Sequence, residues 1–369
     1  MITNILSKPT FLVNKHRAIN NIQRMITKAR RSQVRFCPHF KTHQSADIGE
    51  WFRKFGVNSI AVSSVDMANY FAENGWTDIT IAFPVNIHQI SQMNELAKEI
   101  QLQLVVESIE VVECLSKKME TPVNLWIKID TGYHRTGLLW NDLKSILKLA
   151  KHIKQKASLN LSGLLAHSGH TYKAHSKQEI REIYSETVHR LKNIQQTLQD
   201  QLATALEISI GDTPSCSLID DFAGVDEIRP GNFVFYDVKQ FQLGACSEND
   251  IAVALACPVV AKHPERNEVI IYGGGIHLSK DYLLNQDGSK CYGLVTLPEK
   301  EGWSSIIDNT FVSSLSQEHG VVRMETNLLN SVHLGDFLTI LPVHSCLTAN
   351  LMKNYLTVAG KKLNFNPYS

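Results

Sequence analysis

Val34-Arg35-Phe36-Cys37-Pro38-His39-Phe40-Lys41-Thr42-His43 sets one lysine at the end of an apolar, strand-like run, between two histidines. A lysine at the C-terminal end of a buried strand is poorly solvated, which disfavours its ammonium form. A neutral amine there can form a Schiff base with a carbonyl compound. The plain alternative is a surface lysine that follows a strand. The run also bears on the fold. A doubly wound open sheet would usually bring a Gly-rich dinucleotide loop after its first strand, and this one ends in His-Phe-Lys-Thr-His.

Working outward, short apolar runs alternate with longer amphipathic ones from residue 34 to about 237. Eight read as strands: Val34–Phe40, Ser59–Ser63, Asp78–Phe83, Gln103–Val106, Asn124–Ile129, Asn160–Ala166, Ala205–Ile210 and Glu227–Phe235. Between them, Leu143, Ile146, Leu147, Ala150 and Ile153 make one helical stripe, and Ile180, Ile183, Tyr184, Leu191, Ile194 and Leu198 make another. Strand-helix alternation implies parallel strands with crossover helices, and eight repeats is the number that closes a (β/α)₈ barrel.

After about residue 238 the helical period fades. Ile251–Ala256, Val269–Tyr272, Tyr292–Leu297, Gly320–Met324 and Phe337–Leu341 read as short strands between turn-rich segments. The expected organisation is a barrel over residues 15–237 and a mainly β domain over 238–369.

The chain has 369 residues, 43% hydrophobic and 20% charged, with a formal net charge of +1. That balance gives no reason to expect nucleic acid or an anionic membrane as partner. The N-terminus lacks a basic leader with an apolar segment, and the longest apolar stretch, Ile251 to Ala261, is too short to span a bilayer. The seven cysteines (Cys37, Cys114, Cys216, Cys246, Cys257, Cys291, Cys346) are scattered and odd in number. They argue for a reducing compartment, so a cytoplasmic protein is expected.

In such a barrel the chemistry gathers at the C-terminal strand ends. Those ends carry Lys41 and His43, Ser63-Ser64, Glu107, Asp130, His167 to His170 with Tyr172, Gly211 to Ser215, and Arg229 to Asn232. At the last two, Gly211 and Gly231 admit close backbone approach, while Thr213, Ser215 and Asn232 offer donors. Phosphate sites in these barrels often follow strands seven and eight. A phosphate there and an amine at the end of strand one would be spanned by pyridoxal 5'-phosphate. Turns use the same residue types, so each cluster alone is a weak signal.

A third constellation is His344-Ser345-Cys346. On an extended segment residues i and i+2 share a face, and an imidazole beside a thiol suits Zn²⁺. Two protein ligands leave positions for water or substrate, as a catalytic metal requires. A buried cysteine beside an ordinary histidine is the alternative.

Together these residues resemble a known family. Pro38-His39-Phe40-Lys41-Thr42-His43 is similar to the Schiff-base motif of fold-type III pyridoxal-phosphate enzymes related to D-threonine aldolase and eukaryotic-type D-serine dehydratase. Lys128-Ile129-Asp130-Thr131-Gly132-Tyr133-His134-Arg135-Thr136-Gly137 resembles the barrel segment shared with alanine racemases. Gly273-Gly274-Gly275-Ile276-His277-Leu278-Ser279-Lys280-Asp281, Gln317-Glu318-His319-Gly320 and the His-x-Cys pair look like later motifs of the same family. The resemblance runs from about residue 9 to 350.

It implies a barrel of alanine-racemase type, a β domain that carries the metal site and also takes the first strand, about residues 1–14, and a homodimer. It puts the cofactor on Lys41 and its phosphate near Thr213, Gly231 and Asn232. Tyr172 would contact the pyridine ring, and Arg135 would face the ring oxygen. His-x-Asp with Mn²⁺ or Mg²⁺ marks the aldolases of this family, and His-x-Cys with Zn²⁺ marks the dehydratases. His344 and Cys346 belong with the second pattern.

The expected reaction is dehydration and deamination of D-serine to pyruvate and ammonia. Lys41 would remove the Cα proton, and zinc would assist the departing hydroxyl. Retro-aldol cleavage of D-threonine and dehydration of D-threo-3-hydroxyaspartate are the rival reactions. A pyridoxal-phosphate carrier without turnover is the rival class.

Overall fold

A computed structural model describes residues 5–366, and the chain divides into two compact units. One is built chiefly from Gln23–Lys41 and Gly49–Gly231, the other from residues 5–22, Thr42–Ile48 and Asn232–Phe365. The chain thus leaves the first unit between Lys41 and Thr42, and again between Gly231 and Asn232.

The first unit is a ring of parallel strands: Arg35–Phe36, Ser59–Val62, Asp78–Pro84, Gln101–Val106, Val123–Asp130, Leu159–Ala166, Glu207–Ile210 and Glu227–Ile228. From Ser59–Val62 onward each pairs with its successor, and Glu227–Ile228 pairs with Arg35–Phe36. The ring closes past the first strand's assigned end. Ala61 N–H donates to the Pro38 carbonyl at 3.0 Å, and Phe40 N–H donates to the Ala61 carbonyl at 2.8 Å. Pro38 has no N–H to give, but its carbonyl accepts, and on the opposite side Cys37 and His39 N–H donate to the Ile228 and Pro230 carbonyls at 3.0 and 2.9 Å.

The run expected at Glu227–Phe235 is a strand only at Glu227–Ile228, and Asn232–Val234 is a 3₁₀ turn. Pro230 cannot donate to a ladder, which ends the pairing there. The polar residues that open the helices are spent locally. Ser64, Ser108, Asp142 and Ser176 each accept a hydrogen bond from the backbone N–H three residues on, at 3.1 to 3.3 Å. Each cap contributes about 1 kcal/mol. Helix Leu143–Lys154 buries Ile146, Leu149, Ala150 and Ile153, while Leu143, expected on that stripe, is exposed. Inside the ring Trp126 Nε1 donates to Gln103 Oε1 at 2.7 Å, and Gln103 Nε2 donates to Asp78 Oδ1 at 2.7 Å.

The second unit is a mainly antiparallel sheet in the order Glu268–Tyr272, His319–Arg323, Phe311–Leu315, Gly293–Thr296, Phe337–Pro342, Val253–His263, Thr10–Val13, Tyr355–Thr357, Lys362–Leu363. Val253–His263 also pairs with Glu268–Tyr272, so its first six strands close on themselves. Val253–His263 runs through Pro258 because a bulge follows at Val259/Ala261. Thr10–Val13 pairs with both Val253–His263 and Tyr355–Thr357. Phe11, Leu12 and Val13 have no exposed surface, as a strand covered on both faces requires. No helix among the described residues is long and apolar enough to cross a membrane.

Candidate active site

Lys41 follows a firmly anchored residue. Phe40 is fully buried, its ring 5.0 Å from Phe52, 5.0 Å from Phe71 and 5.1 Å from Trp76. His39 N–H donates to the Pro230 carbonyl at 2.9 Å, so the ends of the first and eighth strands lie side by side. The Lys41 main-chain N–H donates to His39 Nδ1 at 3.4 Å. Lys41 itself is exposed, a correction to the poorly solvated amine the sequence led us to expect. Strand pairing stops at Phe40, which leaves Lys41 beyond the rim.

The sixth and seventh strand ends meet beside it. His167 Nδ1 donates to the Gly211 carbonyl. Burial holds the His167 pKa well below the ordinary histidine value, as do the nearby charges of Lys41 and Lys128, so the imidazole is neutral. The Tyr172 ring lies 6.5 Å from that of His167, and its hydroxyl accepts from Thr213 N–H at 3.4 Å. Asp212 accepts from Ser215 N–H at 2.8 Å and from the Thr171 hydroxyl at 2.9 Å, which places Thr213 at the start of helix Thr213–Leu218. Burial pushes the Asp212 pKa up to about 6. Thr213 Oγ1 is buried and has no hydrogen-bond partner among the described residues. Gly211 has no room for a side chain, since a Cβ would come within 2.7 Å of the Arg229 carbonyl oxygen.

Arg135 is exposed, its guanidinium 4.9 Å from the centre of the Tyr133 ring, and Tyr133 lies 5.9 Å from the His167 ring. Below them sits a residue the sequence reading passed over as part of a motif. Lys128 is 6% exposed. Burial, then the charges of Arg229 and Arg135, pushes its pKa down to about 7 against the pull of Asp130 and Glu107. Its signal in the sequence is a lone cation within the apolar strand Val123–Asp130.

His344 and Cys346 belong to the second unit. They do not lie on one extended segment. His344 is the N-cap of helix Ser345–Met352 and Cys346 lies in its first turn, which ends the strand geometry assumed for the pair. Both are half-buried. His344 Nδ1 lies 2.8 Å from Asp281 Oδ2. Cys346 Sγ has Thr42 Oγ1 at 3.3 Å and Asn232 Nδ2 at 3.5 Å. Asn232 Nδ2 also donates to Asp237 Oδ2 at 2.7 Å and to Ser345 Oγ at 3.0 Å. Among the described residues no three His, Cys, Asp or Glu side chains form a metal cage. The arrangement offers one imidazole nitrogen and one sulfur to a metal, with the other positions left to solvent or substrate.

Comparison with known proteins finds two families matched along the chain. The family described as alanine racemase, N-terminal domain, matches residues 13–238, and that described as putative serine dehydratase domain matches residues 252–358. The D-serine dehydratase of Dictyostelium discoideum is 26% identical, covering 99% of this chain and 96% of its own. The D-threo-3-hydroxyaspartate dehydratase of Delftia sp. (strain HT23) is 25% identical, covering 96% and 95%. A solved mutant of a D-threo-3-hydroxyaspartate dehydratase, in a metal-free form, superposes with a TM-score of 0.91 at 24% identity, covering 98% of each chain.

Proposed function

The chain belongs to the family of the alanine racemase N-terminal domain, and from that premise we propose that it is a pyridoxal-phosphate- and zinc-dependent dehydratase of a D-β-hydroxy amino acid, D-serine first among them. The observation that carries the reading is the union in one chain of an alanine-racemase-type barrel, with Lys41 at its rim, and a serine dehydratase domain that contains His344 and Cys346. The curated relatives are dehydratases, hence lyases. A carrier without turnover would need neither the second domain nor its nitrogen-sulfur pair.

The barrel residues fit the cofactor. Lys41 offers an amine, and Thr213 Oγ1 is a buried donor in want of an acceptor such as phosphate. Lys41 would hold the cofactor, and Thr213 and Gly231 would take its phosphate. Asn232 would add its main-chain N–H, because its side-chain amide hydrogens already serve Asp237, Ser345 and Cys346. Tyr172 would lie against the pyridine ring, and Arg135 would face the ring oxygen.

Pyridoxal phosphate supplies the electron sink for loss of the Cα proton. Lys41 Nζ is the base that takes that proton. Neutral His167, fixed through Nδ1 to Gly211, adds no positive charge beside the amine. His344 Nε2 and Cys346 Sγ would hold Zn²⁺, a Lewis acid for the departing β-hydroxyl. The thiolate suits zinc and not Mg²⁺.

A homodimer in the cytoplasm completes the proposal. Exposed Leu347 and Leu351, one turn apart on helix Ser345–Met352, give a second copy an apolar face to cover. The test is product analysis with the cofactor-loaded, zinc-loaded protein. D-Serine should yield pyruvate and ammonia, and a chelator should stop the reaction while leaving the melting temperature within a few degrees. Glycine and an aldehyde from D-threonine as the main products would overturn the dehydratase reading in favour of an aldolase. The Delftia relative favours a second substrate, D-threo-3-hydroxyaspartate, and the ratio of kcat/KM values for the two substrates decides between them.

A further inference from the structure

The segment Gly273 to Asp281 holds neither cofactor nor metal in the reading above, yet its geometry is tightly determined. A Cβ on Gly273 would come within 2.4 Å of Cys257 Sγ, and one on Gly274 within 2.3 Å of the Gln317 carbonyl oxygen. Only glycine allows so close an approach. Gly273 N–H donates to the Glu318 carbonyl at 3.0 Å and Gly275 N–H to the Ser316 carbonyl at 2.8 Å. The short helix Gly275–Leu278 then stops at Ser279, whose φ of +71° is uncommon for a residue with a side chain. After this reversal Asp281 N–H donates to Ser279 Oγ at 3.2 Å. Thr348, one helical turn beyond His344, donates through Oγ1 to the Leu278 carbonyl at 3.1 Å. Both ends of the Asp281–His344 contact are therefore fixed to the same few residues.

We propose that Asp281 is a positioning residue for the metal centre, delivered by the Gly273–Ser279 segment to hold His344 with Nδ1 protonated and Nε2 turned to zinc. The inference rests on the zinc reading above. Side-chain exposure is 49% at Asp281 and 40% at His344, and so exposed a pair adds little to folding stability. Its value lies in orientation. A histidine ligand whose other nitrogen donates to a carboxylate is fixed in tautomer and ring angle and is a better donor to the metal. The Asp281 carboxylate together with a Cys346 thiolate also supplies two negative charges against the two positive charges of zinc.

The test is zinc affinity, by competition with a chromophoric chelator, in the cofactor-loaded wild type and in Asp281→Ala, Asp281→Asn and His344→Ala. Asp281→Ala should bind zinc about 10- to 100-fold more weakly. Asp281→Asn keeps an acceptor oxygen for His344 and should recover most of that loss. The melting temperature and the visible absorption of bound cofactor should not change in either. Wild-type affinity in Asp281→Ala, with zinc lost in His344→Ala, would overturn the role of Asp281 and leave the zinc site standing. Equal loss in the Asn and Ala variants with a lowered melting temperature would mark a structural role and overturn it too. A wild type that binds no zinc would overturn the zinc reading and this inference with it.

Discussion

Thr42 Oγ1 lies 3.3 Å from Cys346 Sγ, and Thr42 is the residue that follows Lys41. Thr42 is fully buried, so the hydroxyl and the sulfur meet away from water, and the hydroxyl can donate once the thiol has lost its proton. Thr42→Val keeps the shape and removes the donor. A hydroxyl that donates to a thiolate makes a charge-assisted hydrogen bond, worth about 1.5–3 kcal/mol. Alkylation of Cys346 by iodoacetamide in chelator-treated protein, at fixed pH, should slow by about tenfold or more in the variant, while the melting temperature moves by a few degrees at most.

Lys41 should be the residue that borohydride labels in the cofactor-loaded protein, and peptide mapping will read it directly. Lys41→Ala should cut turnover on the order of a thousandfold or more, as loss of a covalent catalytic group does. A label on another lysine, with Lys41 unmodified, removes the central assignment.

Gly231 is the second point at which cofactor affinity can be tested. Gly231→Leu should weaken pyridoxal-phosphate binding by roughly tenfold or more, the effect of about 1.4 kcal/mol, with the circular dichroism of the barrel preserved. Unchanged affinity, measured by dialysis against free cofactor, would move the phosphate elsewhere.

His43 sets a pH dependence of stability. It is fully buried, its Nδ1 accepts from Ser45 N–H at 3.1 Å, and burial pushes its pKa down to about 3. The unfolded chain binds a proton at this residue near pH 6.5 and the folded chain does not until about pH 3. Stability from this residue is therefore complete above the unfolded value and is lost as the pH falls toward 3, up to roughly 5 kcal/mol. His43→Gln should flatten the fall in melting temperature between pH 6.5 and pH 4. An identical fall in both proteins contradicts the assignment.

Phe40 anchors the strand end before Lys41. Phe40→Ala should cost about 3–5 kcal/mol, read by denaturant unfolding. Phe40→Leu, which leaves a smaller void, should cost less and retain cofactor binding.

The barrel is legible in the sequence because its strands are short apolar runs separated by capped amphipathic helices, and each pairs with its neighbour in sequence. The second unit is harder. Phe311–Leu315 carries Ser313 and Ser314, and Tyr355–Thr357 is three residues long, so neither shows an alternation strong enough to read. The His344/Cys346 pair is visible as chemistry, but the helix that begins between them is not, since histidine is not among the residues that favour the N-cap. Asp281 lies 63 residues from His344, and no local pattern joins them. Lys41 is readable as a strand-end lysine, whereas its exposure depends on where hydrogen bonding stops across the ring.

Thr10–Val13 has a consequence for how the molecule is made. This fully covered strand is synthesised before the barrel, yet its partners are Val253–His263 and Tyr355–Thr357. At a synthesis rate of about 5–20 residues per second, Phe11, Leu12 and Val13 wait on the order of tens of seconds before their last partner emerges. During that interval the nascent barrel carries a sticky apolar tail with nowhere to go. A chaperone that binds exposed apolar segments of nascent chains would find a substrate there, and a chain stalled before residue 355 would retain the hazard.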